Sequence, residues 1–446
     1  MAHDVFAGLG SGNGILARLS RDARRAVVVD FARPSAVCGG NREDFMRRSL
    51  GVAALCAASF AAGTIAQRLY DRGTSPVGAS ASSSAPLGDL ATTVVDLTQQ
   101  PLWAYGFPTP PAPGEKAEPQ RPPSRALRPN EDEGEQTKPQ SLPGSAGKFS
   151  LVDIRDGGNV IDWYPDDHPP MTDIIRLGPS KLDTGRRGCG FCHLPNGLGR
   201  PENAPTAGLP PNYFVQQLKD FRNGLRRSAD PRKPNTNTMI DLARAMTDEE
   251  MVQAAQYFAA IKWRPRVKVI ETALVPKTRI VGNLFLATET ERTEPIAGRI
   301  IEVPEEEERA ERLRDPRSGF LAYVPPGSLA RGKQLVRLGG AEIVGNQIVQ
   351  GKTTACTACH APDLMGVGDV PPIAGRSPSY LARQIFDIQQ GVRRGSAVDL
   401  MKVAVAKLNA DDITAIAAYV ASRFPPDPED VAAGDEIRAD HALNHR

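Results

Sequence analysis

The 446-residue sequence is short of the features that would declare a function outright. Its 54 basic and 52 acidic residues leave a formal charge of only +2, so bulk charge makes no case for a nucleic-acid partner. There are only six cysteines and six histidines, and aromatic residues make up 6%. The cysteines are not spread as a structural disulfide set would be. Cys38 and Cys56 lie near the N-terminus, and the other four form two pairs, Cys189 with Cys192 and Cys356 with Cys359. What the chain does have is 39 prolines and 41 glycines, which point to long irregular segments beside compact ones.

One apolar run stands out. Arg47 and Arg48 precede an uncharged stretch from Ser49 to Gln67, the layout of a secretory signal or of an N-terminal membrane anchor. It is long enough to cross a bilayer but is rich in alanine. Small residues at Thr64 and Ala66 offer a cleavage site. Met46 before the two arginines reads as the natural start, so residues 1–45 are expected to be a non-native or disordered extension. Cleavage near Ala66 would remove both spare cysteines and leave only the two pairs, as suits an oxidising compartment. Residues 68–146 are rich in Ser, Pro and charge and read as linker, with an apolar island, "LWAYGF", able to dock on a folded domain. Folded sequence is expected to resume near Phe149.

An internal repeat organises the rest. Cys189, Cys192 and His193 recur as Cys356, Cys359 and His360 at an offset of 167 residues. At the same offset Pro205 matches Pro372, Tyr213 matches Tyr380, Gln217 matches Gln384 and Asp220 matches Asp387. The offset then falls to 162, where Met239 matches Met401 and Tyr257 matches Tyr419; a loop that changes length accounts for the step. Both copies read as helical. "PNYFVQQLKDFRNG" has helical apolar spacing and a glycine stop. "TDEEMVQAAQYFAAIK" and "NADDITAIAAYVASR" open on a capping residue followed by acids. Between the copies, 265–303 has the β-branched content of short strands, followed by "PEEEERAERLR" as a helix with acids first and arginines last.

C-x-x-C-H allows three readings. Two copies could pool ligands for zinc, but adjacent Cys and His rarely face one metal, and each copy has its own domain-length repeat. A thioredoxin-like dithiol would want a βαβ setting, whereas these flanks are helical and proline-rich. The third reading is c-type haem attachment. Two thiols add across two vinyl groups, so both sulfurs must lie on one side of a tight turn, and the next residue then aims its imidazole at the iron. A Met/His ligand pair suits electron transfer. Met239 and Met401, each expected in a loop seven residues before Met246 or Leu408, are the candidate sixth ligands. Met246 and Met251 read as core filler, and Met365 is too near His360 to cross to the opposite face. His168 in "DDHPP" is an alternative ligand.

With "CGFCH", "CTACH", Pro205, Pro372, Met239, Met401 and the terminal helices bearing Tyr257 and Tyr419 in place, both repeats resemble class I c-type cytochromes in the tandem dihaem form, over about 170–262 and 327–424. The resemblance implies a mainly α fold: two cytochrome c-like helical haem domains, 147–264 and 326–424, joined by a β-containing connector at 265–325, with a polar tail at 425–446. It implies two covalently bound haem c groups, anchored by Cys189 and Cys192 and by Cys356 and Cys359. His193 with Met239 and His360 with Met401 would be the iron ligands. The carbonyls of Pro205 and Pro372, twelve residues after each histidine, would accept the imidazole N–H. "GSLARGKQLVRLGG" would be the first helix of the second domain and "PPMTDIIRLG" that of the first. The stretch "AEIVGNQIVQGKTTA" before Cys356 and the connector depart from the family pattern.

The expected activity is that of an electron carrier in the periplasm, soluble after signal cleavage or anchored through 49–67, and not that of an enzyme. It would pass single electrons from a dehydrogenase or quinol-oxidising donor to a cytochrome or terminal oxidase. The rival is a dihaem enzyme of peroxidase or sulfur-oxidising type, which needs an exchangeable iron position; the chain offers no spare cysteine ligand after residue 56. Arg226 and Arg227 are read either as a basic docking rim or as a solvated helix end.

Overall fold

The computed structural model describes residues 101–106, 131–288, 292–396, 398–426 and 428–444. The expected signal or anchor, the extension before it, and linker residues 68–100 and 107–130 lie outside the described residues. Among the described residues no helix is long and apolar enough to cross a membrane.

Order begins before the expected Phe149. Gln140 and Phe149 exchange backbone hydrogen bonds, and Glu131 pairs with Arg155 at 2.6 Å and with Arg312 at 3.1 Å. Phe149 stands edge-on to Trp163, centroids 4.9 Å apart, and the Trp163 indole N–H donates to the Leu313 carbonyl at 2.9 Å. Arg312 and Leu313 lie far along the chain, which is why a proline-rich, aperiodic stretch gave no local sign of them.

The first repeat has a one-turn helix at Cys189–His193, then α1 (Pro211–Arg222), α2 (Pro234–Ala245) and α3 (Asp248–Ala259). Thr247 caps α3 in a reciprocal box with Glu250, which satisfies two otherwise orphaned N–H groups. Phe214 of α1 stacks on Phe258 of α3 at 5.7 Å. Burial of each ring stabilises by about 2 kcal/mol, and Met246 and Met251 fill the same core as expected. The proposed first helix is a single turn, Asp173–Arg176.

A three-stranded sheet follows, with order β1-β7-β6, where β1 is Val267–Glu271, β6 is Ile301–Pro304 and β7 is Phe320–Val324; β1 runs parallel to β7 and β6 antiparallel. Two small ladders complete the connector, β2 (Leu274–Pro276) with β5 (Thr293–Pro295) and β3 (Thr278–Val281) with β4 (Leu284–Ala287). The helix expected after them is only a π-type turn at Glu308–Arg312. Arg314 takes a left-handed φ of 51°, and Arg309 turns to Asp315 at 2.8 Å, so tertiary bonds end the turn that local charge pattern would have extended.

The second repeat contains α4 (Ser328–Leu338), a hairpin of β8 (Glu342–Val344) and β9 (Gln347–Val349), a one-turn helix at Thr357–His360, then α5 (Pro378–Gln389), α6 (Val398–Val405) and α7 (Ala410–Ala421). Asn409 caps α7 with Asp412 in a second reciprocal box. The tail forms α8 (Pro428–Asn444), held by Arg438 donating to Asp363 at 2.8 Å. The island "LWAY" is a helical turn whose Tyr105 is 1% exposed within the core of the second repeat.

Candidate haem sites

Each C-x-x-C-H sequence coils into one helical turn. That turn sets the first cysteine four positions before the histidine, so the two thiols and the imidazole leave the same short segment. His193 and His360 are buried, 8% and 7% exposed. The Nδ1 of His193 lies 2.7 Å from the Ala204 carbonyl, and that of His360 lies 2.9 Å from the Pro371 carbonyl. A carbonyl only accepts, so Nδ1 carries the proton and Nε2 keeps its lone pair for a metal. Burial also pulls both imidazoles below their usual range, which holds them neutral.

This corrects one expectation. The accepting carbonyl belongs to the residue before the proline, not to Pro205 or Pro372. A proline forces its predecessor into extended backbone, and in both loops that predecessor's carbonyl is the one turned to the imidazole. The Pro205 and Pro372 carbonyls are instead bonded to Arg376, at 2.9 and 3.2 Å.

The surroundings of the two motifs count against a redox dithiol and against zinc in turn. Burial pushes Cys189 up to about 12 and Cys356 to about 11, and raises Cys192. A thiol held protonated is a poor exchange nucleophile. Among the described residues no cluster of three or more His, Cys, Asp or Glu is placed to hold a metal ion.

Cys189, Cys192, His193 and Met239 all line one cavity of about 480 Å³, a size suited to a large cofactor. Its polar wall carries Arg200, Arg226, Lys233 and Arg314. Glu202 Oε1 there pairs with Arg200 at 2.5 Å, while Arg200 Nε and Glu202 Oε2 are buried without a hydrogen-bond partner. An apolar slot with cationic, under-satisfied polar groups fits a haem, whose faces are apolar and whose edge bears carboxylates. Met239 and Met401 are not in loops. They lie inside α2 and α6, each packed against its own repeat's core. Around the second motif Cys356 is partly buried and Cys359 exposed. His168 lies elsewhere, bonded to Pro169, Asp162 and Tyr257.

The cytochrome c family model matches residues 344–423. Cytochrome c4 of Stutzerimonas stutzeri is 31% identical over 240 residues, covering 52% of this chain and 82% of that protein. The chain belongs to the cytochrome c family. A protein named thiosulfate dehydrogenase electron acceptor, from Stutzerimonas stutzeri strain A1501, is 32% identical to this cytochrome and covers 52% of it and 78% of its own length. The crystal structure of reduced recombinant cytochrome c4 from Pseudomonas stutzeri superposes with a TM-score of 0.31 at 21% identity, covering 53% of this cytochrome and 93% of that chain. The cofactor of this cytochrome is covalently bound haem c, the two motifs agreeing with a count of two, and its activity is electron transfer.

Sequence reading missed how the two repeats meet. Arg226 and Arg393, 167 residues apart, form an antiparallel backbone bridge. Arg226 donates to Gln217 at 3.0 Å and Gln384 at 2.7 Å; Arg393 donates to Gln384 at 3.0 Å and Gln217 at 3.1 Å. Matched positions therefore pair across a local twofold axis. Arg226 is 8% exposed, so it is neither a docking rim nor a solvated helix end. The matched glutamines were a signal for this contact; Arg376 had none, because Leu209 stands at its repeat position.

Proposed function

We propose that this chain is a dihaem c-type cytochrome with tandem haem domains at 147–264 and 326–424. Cys189 and Cys192 would anchor one haem and Cys356 and Cys359 the other, with His193 and Met239, and His360 and Met401, as iron ligands. The observation that carries the reading is that both thiols, the imidazole and Met239 share one cavity. Haem supplies a metal that gains and loses one electron. The protein's part would be to hold neutral imidazoles by their Nδ1–H bonds, to exclude water with the packed cores, and to supply a thioether as the second iron ligand. Met/His ligation favours electron transfer over substrate chemistry.

The relative whose name makes it an electron acceptor of thiosulfate dehydrogenase supports a dehydrogenase as donor; a quinol-oxidising enzyme is the alternative donor, and a downstream cytochrome or terminal oxidase would be the acceptor. Arg47, Arg48 and the uncharged run after them support a periplasmic location. The reading is tested by optical spectroscopy of the oxidised protein. A weak methionine-to-iron charge-transfer band is expected, with Met239→Ala and Met401→Ala each removing one contribution. High-spin ferric haem in the unmodified protein that binds cyanide readily would instead mean an open iron position and an enzyme.

A further inference from the structure

Arg376 is 2% exposed and sits between the two loops that support the histidines. Its NH1 donates to the Pro205 carbonyl at 2.9 Å, its NH2 to the Ala207 carbonyl at 2.9 Å, and its Nε to the Pro372 carbonyl at 3.2 Å. The guanidinium lies over the Trp263 ring, 4.0 Å from its centroid, and the Trp263 N–H donates to the Ala374 carbonyl at 2.9 Å. These partners are neutral oxygens and an aromatic face; among the described residues no carboxylate is bonded to it. Burial lowers this guanidinium to about 10, so it remains charged at neutral pH. A buried charge without a counter-ion is costly, and a neutral side chain would fill the same space more cheaply.

Its position shows what the charge serves. Pro205 is bonded through its peptide to Ala204, whose carbonyl holds His193, and Pro372 to Pro371, whose carbonyl holds His360. A continuous path of covalent and hydrogen bonds therefore runs from His193 through Ala204, Pro205, Arg376, Pro372 and Pro371 to His360. We propose that Arg376 is a positioning residue that couples the two haem sites: one fixed positive charge acts on both, and electron exchange between them follows this bonded path. The proposal rests on the haem reading given above. In the exchange one iron goes from ferrous to ferric and the other from ferric to ferrous, with one electron moved, no proton transferred and no bond made or broken. A positive charge near both sites favours the ferrous state at both, by Coulomb attraction in a low-dielectric setting.

The experiment uses the full holo-protein with Arg376→Gln and Arg376→Lys. Haem is counted per chain, both midpoint potentials are titrated, and exchange between haems is timed after rapid injection of one electron. The glutamine variant, having lost the charge, is expected to lower both potentials. The lysine variant keeps the charge but cannot span three carbonyls, so both potentials stay near their original values. Exchange slows several-fold in both. Two haems per chain with unchanged potentials in Arg376→Gln, a shift of one potential only, or unchanged exchange in either variant overturns the proposal. If the glutamine variant does not fold, exchange in Arg376→Lys decides. Absence of haem from the unmodified chain would overturn the haem reading itself, a separate outcome.

Discussion

Tyr105 shows how much one residue can do from outside the repeats. Its hydroxyl donates to Asp387 Oδ1 at 2.8 Å, and the Ala229 N–H donates to the same oxygen at 2.8 Å. Burial pushes the Asp387 carboxyl up to about 6, so these donors offset the cost of hiding a carboxylate. The Ala104 carbonyl accepts from Arg383 at 2.6 Å. Gly106 then turns left-handed at φ 65°, where a Cβ would lie 2.1 Å from the Asn283 carbonyl oxygen. Tyr105→Phe keeps the ring and deletes one bond to a buried acid, so it should cost about 2 kcal/mol, read as a lower urea midpoint with unchanged slope. The sequence displayed "LWAYGF" as an apolar island able to dock; its partner, 282 residues away, could not be read because nothing local to the island specifies it.

At the scale of elements, what was legible was what local chemistry decides. Thr247 and Asn409 began helices because their side chains cap the first turn, and β-branched content marked the connector strands. Elements decided by distant partners went astray: the helix expected after "PEEEE" is one turn, and the tail is a helix. The crossing of α4 and α7 is a third case, for Gly332 looked like any helix glycine. A Cβ there would meet the Ala415 carbonyl oxygen at 2.1 Å and Tyr419 Cβ at 2.5 Å. Both are fixed by α7, so neither can yield without parting the helices. Although alanine is the better helix former, Gly332→Ala should destabilise by about 3 kcal/mol, measured by thermal unfolding of the holo-protein. An unchanged or raised midpoint would show that the two helices are not held at this distance.

For the whole molecule the repeat announced that matched positions exist, but a one-dimensional pattern cannot say that they touch. Here they do. Gln217 Oε1 accepts from Arg226 and Arg393, and Gln384 Oε1 accepts from the same two arginines. Backbone bonds frame the cluster, Arg227 N–H to the Val392 carbonyl at 3.0 Å and Arg394 N–H to the Leu225 carbonyl at 2.7 Å. The sharing dictates the sign of the coupling. Removing either arginine leaves each glutamine oxygen with one donor, whereas removing both leaves two acceptors in the interface with none from this cluster, and an unsatisfied buried acceptor carries its full desolvation penalty. Arg226→Met and Arg393→Met should therefore cost more together than the sum of the two alone, by about 1–3 kcal/mol. Denaturant unfolding of the four proteins of the cycle measures this directly. Additive costs would mean that each arginine acts independently and that the twofold pairing of the repeats adds nothing to their cohesion.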